Sequence, residues 1–257
     1  MVTNITYNDS FYKLEKEYSV SMSEQDMRYT IKPSALLNYL QDIASNNIEG
    51  TPFGNVALNN EGLGWFLVRY RIEFDNYPNG VHNFIIKTEN RGLLRQTAYR
   101  DFEAYKTNGE RILRASTTWL MVDIANKSLV NIEQKFPEIS KFEKRENDLV
   151  MKKLKSFENA DSEKLFHVRY DDVDINGHVN NTVYITWAME AVDYEFRNTH
   201  QIKFIDIYYK HEAVYGDDII SCIKTDRENL ITEHVIKNAQ TNEELCLINI
   251  VYKEAIK

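Results

Sequence analysis

A faint internal repeat limits the fold of this chain more than any other feature. Residues 18–47 align with residues 166–195 at a fixed offset of 148 positions, with matching aromatic, aliphatic and acidic positions. The aligned pairs are Tyr18 with Phe166, Val20 with Val168, Asp26 with Asp174, Tyr39 with Trp187 and Asp42 with Glu190. We therefore expect two related structural units in one chain.

Each half has the same predicted order of elements, which is a short strand, a helix and then four strands. The helices are predicted over residues 33–47 and 180–197, each after a polar turn. Turn residues separate the apolar runs that follow each helix. These runs are WFLVRYRIEF, VHNFIIKTE, LRQTAYRDFEAY and RILRASTTWLMVD in the first half, and IKFIDIYYKHEA, DDIISCIKTD, LITEHVIKNA and LCLINIVYK in the second.

The order of these elements predicts an α+β fold. Consecutive strands joined by tight turns form antiparallel sheets, and the single long helix of each half needs a sheet to cover it. We therefore predict a double (tandem) hotdog, with two central helices each wrapped by an antiparallel sheet and the two sheets joined edge to edge. The predicted units are an N-terminal hotdog over 1–137, a charge-rich, solvated linker over 138–163 and a C-terminal hotdog over 164–257.

Composition excludes several classes of protein. The 257 residues carry a net charge of −8 and are 43% hydrophobic, which suits a globular protein and argues against nucleic-acid binding. The sequence has no apolar run long enough to cross a membrane and no leader-like start, so a cytoplasmic protein is expected. Cys222 and Cys246 lie in apolar runs, as buried thiols do.

One segment, RYDDVDINGHVNNTVYITWAMEAV, differs from ordinary scaffold sequence. It places Asp174, Asn176 and His178, here called the polar trio, at alternate positions directly before the second helix. A histidine that titrates near neutrality, an amide donor and the N–H groups of a helix start could together serve acyl chemistry. The same residues also suit a simple turn, with Asn180 or Asn181 capping the helix.

The internal repeat favours the functional interpretation. At the offset of 148, the first half has Asp26, Arg28 and Thr30 in place of the polar trio. Turn formation alone does not explain why the two halves differ. The asymmetry predicts one active site per chain, with the first half shaping a substrate pocket.

The chain resembles the acyl-acyl carrier protein thioesterases of plants and bacteria, which are double-hotdog enzymes. DVDINGHVNNTVYITWAMEA carries most of the resemblance, supported by WFLVRYRIEF, RASTTWLMVD and IYYKHEAVYGDDI. The resemblance places the family's catalytic Asp, Asn and His on the polar trio and its Glu on Glu212, in the strand after the second helix. Plant members commonly have Cys after this Glu, whereas this chain has Ala213, so a cysteine nucleophile is excluded there.

The resemblance implies hydrolysis of a fatty acyl thioester, with water as the nucleophile and release of free fatty acid in fatty-acid biosynthesis. It implies that Glu212 activates water, Asn176 holds water or the carbonyl, His178 stabilises the oxyanion or protonates the thiolate, and Asp174 orients Asn176. Three alternatives stay open. They are an acyl-CoA thioesterase, a hotdog hydroxyacyl dehydratase and a non-enzymatic module that binds acyl ligands.

A long acyl chain requires an apolar tunnel. We expect its walls to come from the first helix and the first-half strands, with Leu40, Trp65 and Phe66 as substrate-binding residues. Each of these residues also suits an ordinary packed core.

The implied partner is an acyl carrier protein that bears the acyl phosphopantetheine thioester. The carrier protein is acidic, and the negative net charge of this chain would repel it. Local basic residues could offset that repulsion, and Arg91 and Arg95 are therefore predicted to contact the carrier protein. The histidines lack metal-ligand spacing, so no metal or cofactor is implied. The sequence leaves homodimerisation open.

Overall fold

The computed structural model describes residues 12–255. Residues 1–11 and 256–257 lie outside it, so the ends of the two predicted units and the sequence start on which the expectation about a leader was based are not described. The strands are β1 (Lys13–Ser19), β2 (Leu63–Phe74), β3 (Asn83–Leu94), β4 (Thr97–Lys106), β5 (Arg111–Asp123), β6 (Ser128–Leu129), β7 (Ser162–His167), β8 (His200–Tyr209), β9 (Asp218–Asp226), β10 (Ile231–Asn238) and β11 (Glu244–Glu254). They form one sheet in the order β1-β3-β4-β5-β2-β8-β11-β10-β9-β7, with β6 paired to β5.

Two long helices lie against this sheet, with short helices between strands. The helices are α1 (Pro33–Ile48), α2 (Asn55–Asn60), α3 (Ile132–Lys135), α4 (Asn181–Ala191) and α5 (Tyr194–Thr199). The predicted second helix over 180–197 is wrong in its continuity. Val192 adopts an extended backbone, and the side chain of Asp193 accepts a hydrogen bond from the Phe196 N–H to cap α5.

The tandem hotdog is confirmed. Helices α1 and α4 contact each other, and their buried residues share one hydrophobic core with both halves of the sheet. Helix α1 begins with Pro33, whose fixed φ suits the first helical position, and packs an apolar stripe on the sheet. Helix α4 is buried on several sides, including Tyr184, Ile185 and Trp187, as its nearly uniform apolar sequence predicts.

The two halves join where β2 pairs with β8, antiparallel from Arg69 opposite Tyr208 to Glu73 opposite Phe204. At this seam Arg71 donates to the Asp206 carboxylate at 2.5 Å, and both side chains are almost fully buried. Because a buried charge without a partner is costly, the pair favours this register of the two halves. The edge-to-edge joining predicted from the repeat is therefore present.

The segment before β7 packs on the face of the sheet opposite the helices. Phe142 stacks on Tyr99 with ring centroids 4.0 Å apart, and Phe157 packs against the apolar cluster that contains Cys222. Asp148 binds the buried Arg91 guanidinium at 2.7 Å. The prediction that the charges of this linker are simply solvated holds for most of them, which are exposed. It is wrong for Asp148, which binds Arg91, and for Arg145, which binds Glu89 at 2.8 Å.

Both cysteines are buried thiols, as predicted. Burial raises the pKa of Cys222 to about 11 and that of Cys246 well above its ordinary value, so neither is a ready thiolate nucleophile. In the part of the chain from Tyr12 to Ala255, no helix combines the length and apolar character needed to cross a membrane.

Candidate active site

The polar trio lies on a tight turn directly before α4. The Asp174 N–H donates to the His178 carbonyl at 2.8 Å, and the Gly177 N–H donates to the Asp174 carbonyl at 3.0 Å. The Asp174 carboxylate accepts the backbone N–H of Asn176 at 2.8 Å. Gly177 has a φ of +80°, which glycine adopts without strain. Asp174 therefore organises the turn and leaves Asn176 and His178 at its end.

A second segment fixes Glu212 beside this turn. The Val179 N–H donates to the Ala213 carbonyl at 2.8 Å, and the Ala213 N–H donates to the Tyr184 hydroxyl at 3.0 Å. The N–H and the carbonyl of Ala213, the residue after Glu212, are thus both held, the carbonyl by the turn and the N–H by α4. The strand prediction for Glu212 is wrong, because β8 ends at Tyr209 and Glu212 lies on the connection after it.

Glu212 and His178 form the chemically important contact. The Glu212 Oε1 lies 3.2 Å from the His178 Nδ1, and the two side chains are 45% and 37% exposed. Partial burial raises the pKa of Glu212, and the nearby charge of Asp174 raises it further, while His178 and Lys127 oppose the rise. A carboxylate with a raised pKa is a stronger general base than an ordinary surface glutamate. The amide Nδ2 of Asn176 lies 3.4 Å from Asp174 Oδ2, at the exposed end of the same cluster.

The four predicted catalytic residues open into one cavity of about 450 Å³ between the two halves. Its second-half wall contains Asp174, Asn176, His178, Tyr184, Tyr209 and Glu212, and its first-half wall contains Gln41, Ser45, Asn55, Trp65, Phe66 and Trp119. We call this space the catalytic cavity. The polar chemistry therefore comes from one half, while the other supplies a largely apolar or neutral wall.

A second, smaller cavity of about 70 Å³ adjoins the catalytic cavity and is lined by first-half residues. The two cavities share the side chains of Ser45, Asn55, Trp65 and Trp119. Trp65 donates from its indole N–H to the Phe53 carbonyl at 2.9 Å, which fixes the ring at the boundary. Beyond the tryptophans, the walls are mainly apolar and come from α1, β3 and β4. We call this space the acyl cavity because its position suits a chain attached to a group at His178.

The structure separates the predicted substrate-binding residues. Trp65 lines both cavities and Phe66 lines the catalytic cavity, whereas Leu40 lines neither and is fully buried in the core. The prediction for Leu40 is wrong because the helix turns this residue toward the core. The α1 residues on the cavities are Gln41, Ala44, Ser45 and Ile48, which recur at helical spacing.

The predicted docking arginines also differ from each other. The side chain of Arg91 is only 3% exposed and binds Asp101, Asp148 and the Glu143 carbonyl. Its prediction as a docking residue is wrong, because a guanidinium enclosed by these partners is inaccessible to another protein. Arg95 is exposed in the turn between β3 and β4, and its docking role stays a prediction.

The first half contains the same turn without the same chemistry. The Asp26 N–H donates to the Thr30 carbonyl at 2.8 Å, as Asp174 does to His178, and Tyr29 has the positive φ found at Gly177. Arg28 lies where Asn176 lies in the second half, and its guanidinium donates to the carbonyls of Asn198 and His200. Duplication therefore preserved the backbone turn in both halves and the polar trio in one.

The sequence did not reveal that Tyr184 and Trp119 line the catalytic cavity. Tyr184 stood in an apolar helix and Trp119 in an apolar strand, where both suited the core. The phenolic and indole polar groups were the available signals, because buried Tyr and Trp usually need a hydrogen-bond partner. Among residues 12–255, no group of three His, Cys, Asp or Glu side chains could hold a metal ion.

Fold and site together define a tandem hotdog protein with a polar site in its second half, in a cavity that adjoins a smaller and largely apolar one. The chain belongs to the acyl-ACP thioesterase family. The family model for the acyl-ACP thioesterase N-terminal domain matches residues 11–139, and the model for the C-terminal domain matches residues 155–254.

Individual relatives agree with this membership. Oleoyl-acyl carrier protein thioesterase 2, chloroplastic, from Arabidopsis thaliana is 25% identical over 83% of this chain, and the match spans 63% of that relative. The solved acyl-ACP thioesterase of Bacteroides thetaiotaomicron has a TM-score of 0.82 and 21% identity, covering 94% of this chain and 98% of that one. The 12:0-ACP thioesterase of Umbellularia californica has a TM-score of 0.82 and 17% identity, covering 95% and 98%.

Proposed function

We propose that the protein hydrolyses the thioester of a fatty acyl-acyl carrier protein, releasing free fatty acid and carrier thiol in fatty-acid biosynthesis. The contact of 3.2 Å between Glu212 and His178, in the catalytic cavity that adjoins the acyl cavity, carries this proposal. It gives a base of raised pKa beside an imidazole where a chain in the cavity would present its carbonyl. Membership of the acyl-ACP thioesterase family supports the same substrate class.

The proposed reaction uses water as the nucleophile. Glu212 takes a proton from water as its oxygen attacks the thioester carbonyl, giving a tetrahedral oxyanion. The oxyanion collapses, the carbon–sulfur bond breaks, and a proton returns to the departing thiolate through His178. Asn176 holds the water or the carbonyl oxygen, and Asp174 orients Asn176 by accepting its backbone N–H. Ala213 occupies the position after Glu212, so no covalent acyl-cysteine forms there.

The site favours hydrolysis over dehydration and over ligand binding without chemistry. A dehydratase needs a base near the α-carbon and no attacking water, whereas here the carboxylate opens into a catalytic cavity large enough for water and substrate. An acyl-CoA thioesterase would use the same groups on a different carrier, so the carrier must be tested directly. A pure binding module needs no base with a raised pKa. Cytoplasmic location stays a prediction, and homodimerisation stays open.

The decisive experiment measures free-thiol release from saturated acyl chains, hexanoyl to stearoyl, each on carrier protein and on coenzyme A. Wild type is compared with His178→Ala and Glu212→Gln. The matched control is Glu233→Gln, an exposed glutamate on β10 outside the catalytic cavity. We expect both site variants to lose about 10²-fold or more in turnover and the control to stay near wild type. Tight acyl binding by the wild type without thiol release would contradict the proposal.

A further inference from the structure

Four large apolar side chains are exposed around the catalytic turn. Ile175 is 90% exposed, Tyr170 82%, Tyr215 65% and Val214 44%. We call these four residues the apolar rim. Single exposed apolar residues are common on protein surfaces, but a local group of them marks a site of interaction.

The apolar rim adjoins the opening of the catalytic cavity. Ile175 lies at the tip of the turn, between Asp174 and Asn176, and borders the cavity itself. Val214 forms a β-bridge with His178. The rings of Tyr170 and Tyr215 meet edge to face with centroids 6.4 Å apart. The four residues thus come from two neighbouring segments that carry the trio and Glu212.

The local fold does not require apolar side chains here. The turn is held by backbone groups and by the Asp174 carboxylate, and these contacts do not involve the side chain of Ile175. Burial of apolar surface contributes about 25 cal/mol per Å², a gain that these exposed side chains obtain only when another surface covers them. The apolar rim is therefore better explained by binding than by folding.

Access to the site indicates which surface covers the rim. The thioester must reach His178 and Glu212, so the protein that carries it must lie over the opening of the catalytic cavity. This chain has a net charge of −8, and an acidic carrier gains no long-range attraction from it. Short-range apolar contacts next to the opening can supply the adhesion that net charge does not.

We propose that the apolar rim is the docking surface for the acyl carrier protein. The proposal rests on the proposed function, because it takes the carrier-bound thioester as the substrate. Unlike Arg91, which was predicted to dock the carrier protein but is buried, the residues of the apolar rim are accessible and adjoin the catalytic turn. Tyr170, Ile175 and Tyr215 are its central contacts, since each is more than half exposed.

The test compares kcat/KM for one acyl chain presented on carrier protein and on coenzyme A. Tyr215→Asp and Tyr170→Asp alter the apolar rim at positions that do not line the catalytic cavity. The matched control is Tyr194→Asp, since Tyr194 is 66% exposed and is also outside that cavity. We expect the ratio of carrier-protein to coenzyme A activity to fall about tenfold in each rim variant and to hold in the control. Circular dichroism and thermal unfolding confirm that each variant folds.

Direct binding keeps this test separate from the test of catalysis. The affinity of the unacylated carrier protein for wild type, the two rim variants and Tyr194→Asp is measured by fluorescence anisotropy. Weaker carrier binding in the rim variants alone supports docking, even if wild type releases no thiol and the proposed function fails. An unchanged activity ratio with unchanged carrier affinity in folded rim variants, or an equal loss in Tyr194→Asp, overturns the proposal.

Discussion

Tyr77 occupies in the first half the position that Glu212 occupies in the second. In one half a β-bridge joins Thr30 to Asn79, two residues after Tyr77, and in the other a β-bridge joins His178 to Val214, two residues after Glu212. The following carbonyls also correspond, because Pro78 and Ala213 each accept an N–H from the residue after the bridge. The phenol of Tyr77 is buried and donates to the Ile31 carbonyl at 3.0 Å. The first-half equivalent of the site has thus become part of the core.

Arg28 should therefore contribute to stability and not to turnover. Its guanidinium donates to the carbonyls of Asn198 at 3.1 Å and His200 at 3.2 Å, across the boundary between the halves. Arg28→Ala removes both hydrogen bonds and should lower the free energy of unfolding by about 1–3 kcal/mol. Denaturant titration measures this loss. Thiol release should keep its wild-type kcat below the melting range, and a large fall in kcat would contradict a structural role.

Tyr184 should position Glu212 without touching the substrate carbonyl. Its hydroxyl accepts the Ala213 N–H at 3.0 Å, so Tyr184→Phe leaves that buried N–H without its partner and frees the peptide beside Glu212. We expect kcat to fall about tenfold with little change in KM, because the misplaced base acts in the transition state. Steady-state kinetics with the preferred acyl chain measure both constants.

The control for Tyr184 is Tyr252→Phe. Tyr252 is equally buried in the second half, and its hydroxyl contacts Thr232 at 3.4 Å, outside the catalytic cavity. Both variants remove one buried hydroxyl, so a general loss of stability should appear in both. An equal fall of kcat in the two variants would contradict a positioning role for Tyr184.

The raised pKa of Glu212 predicts an acid limb in the pH profile. The ionised carboxylate is the base, so kcat/KM should rise as pH increases through a pKa above the ordinary value of 4.5. Asp174 contributes to this rise, and its charge disappears in Asp174→Asn while the side-chain oxygen can still accept the Asn176 N–H. The acid limb should therefore move to lower pH in Asp174→Asn. A shift to higher pH would contradict the assigned cause.

The same pKa shift affects stability. A carboxyl group with a higher pKa in the folded state holds its proton more tightly there, so its contribution to stability is lost as pH rises through the folded pKa. Glu212→Gln should accordingly raise the melting temperature at neutral pH, where it lowers turnover. Glu233→Gln should leave both nearly unchanged. Thermal unfolding at two pH values checks the direction.

Sequence periodicity was sufficient for the fold because each half repeats one simple pattern. Alternating runs predicted the eight long strands, and the α1 stripe predicted its buried face. The end of β8 was not predictable in this way. The apolar run in the sequence continues to Ala213, whereas the strand ends at Tyr209. Backbone N–H groups of Lys210 and His211 there donate to Leu245 on a strand distant in sequence. Such a contact leaves no local pattern.

Long-range contacts also explain the errors among site residues. From the sequence, Arg91 was predicted to be an accessible arginine on a strand. In the structure Asp148, which follows β5 in the chain, binds its guanidinium and covers it. Leu40 and Ala44 are both apolar residues of α1, and the pattern does not show which one faces a cavity. The trio was predictable because three polar residues adjoin one helix start in sequence. Tyr184 required knowledge of its partner Ala213.

His234 predicts how acid destabilises the second half. It is fully buried, and burial lowers its pKa from an ordinary value of 6.5 to about 3. The folded state therefore keeps it neutral, while the unfolded chain takes up a proton below about pH 6.5. Its contribution to stability is complete above that pH and declines as pH falls from about 6.5 toward 3. The free energy of unfolding should fall across this window.

His234→Gln tests this origin of the acid sensitivity. Glutamine is uncharged at every pH in the window and can still donate to the Thr232 hydroxyl, which His234 Nε2 contacts at 2.9 Å. The slope of unfolding free energy against pH should therefore decrease in His234→Gln, even if the variant is less stable at neutral pH. His82→Gln changes an exposed histidine and should keep the wild-type slope. Equal slopes in wild type and His234→Gln would assign the acid sensitivity to the carboxylates instead, because their protonation is the other source of proton uptake on unfolding.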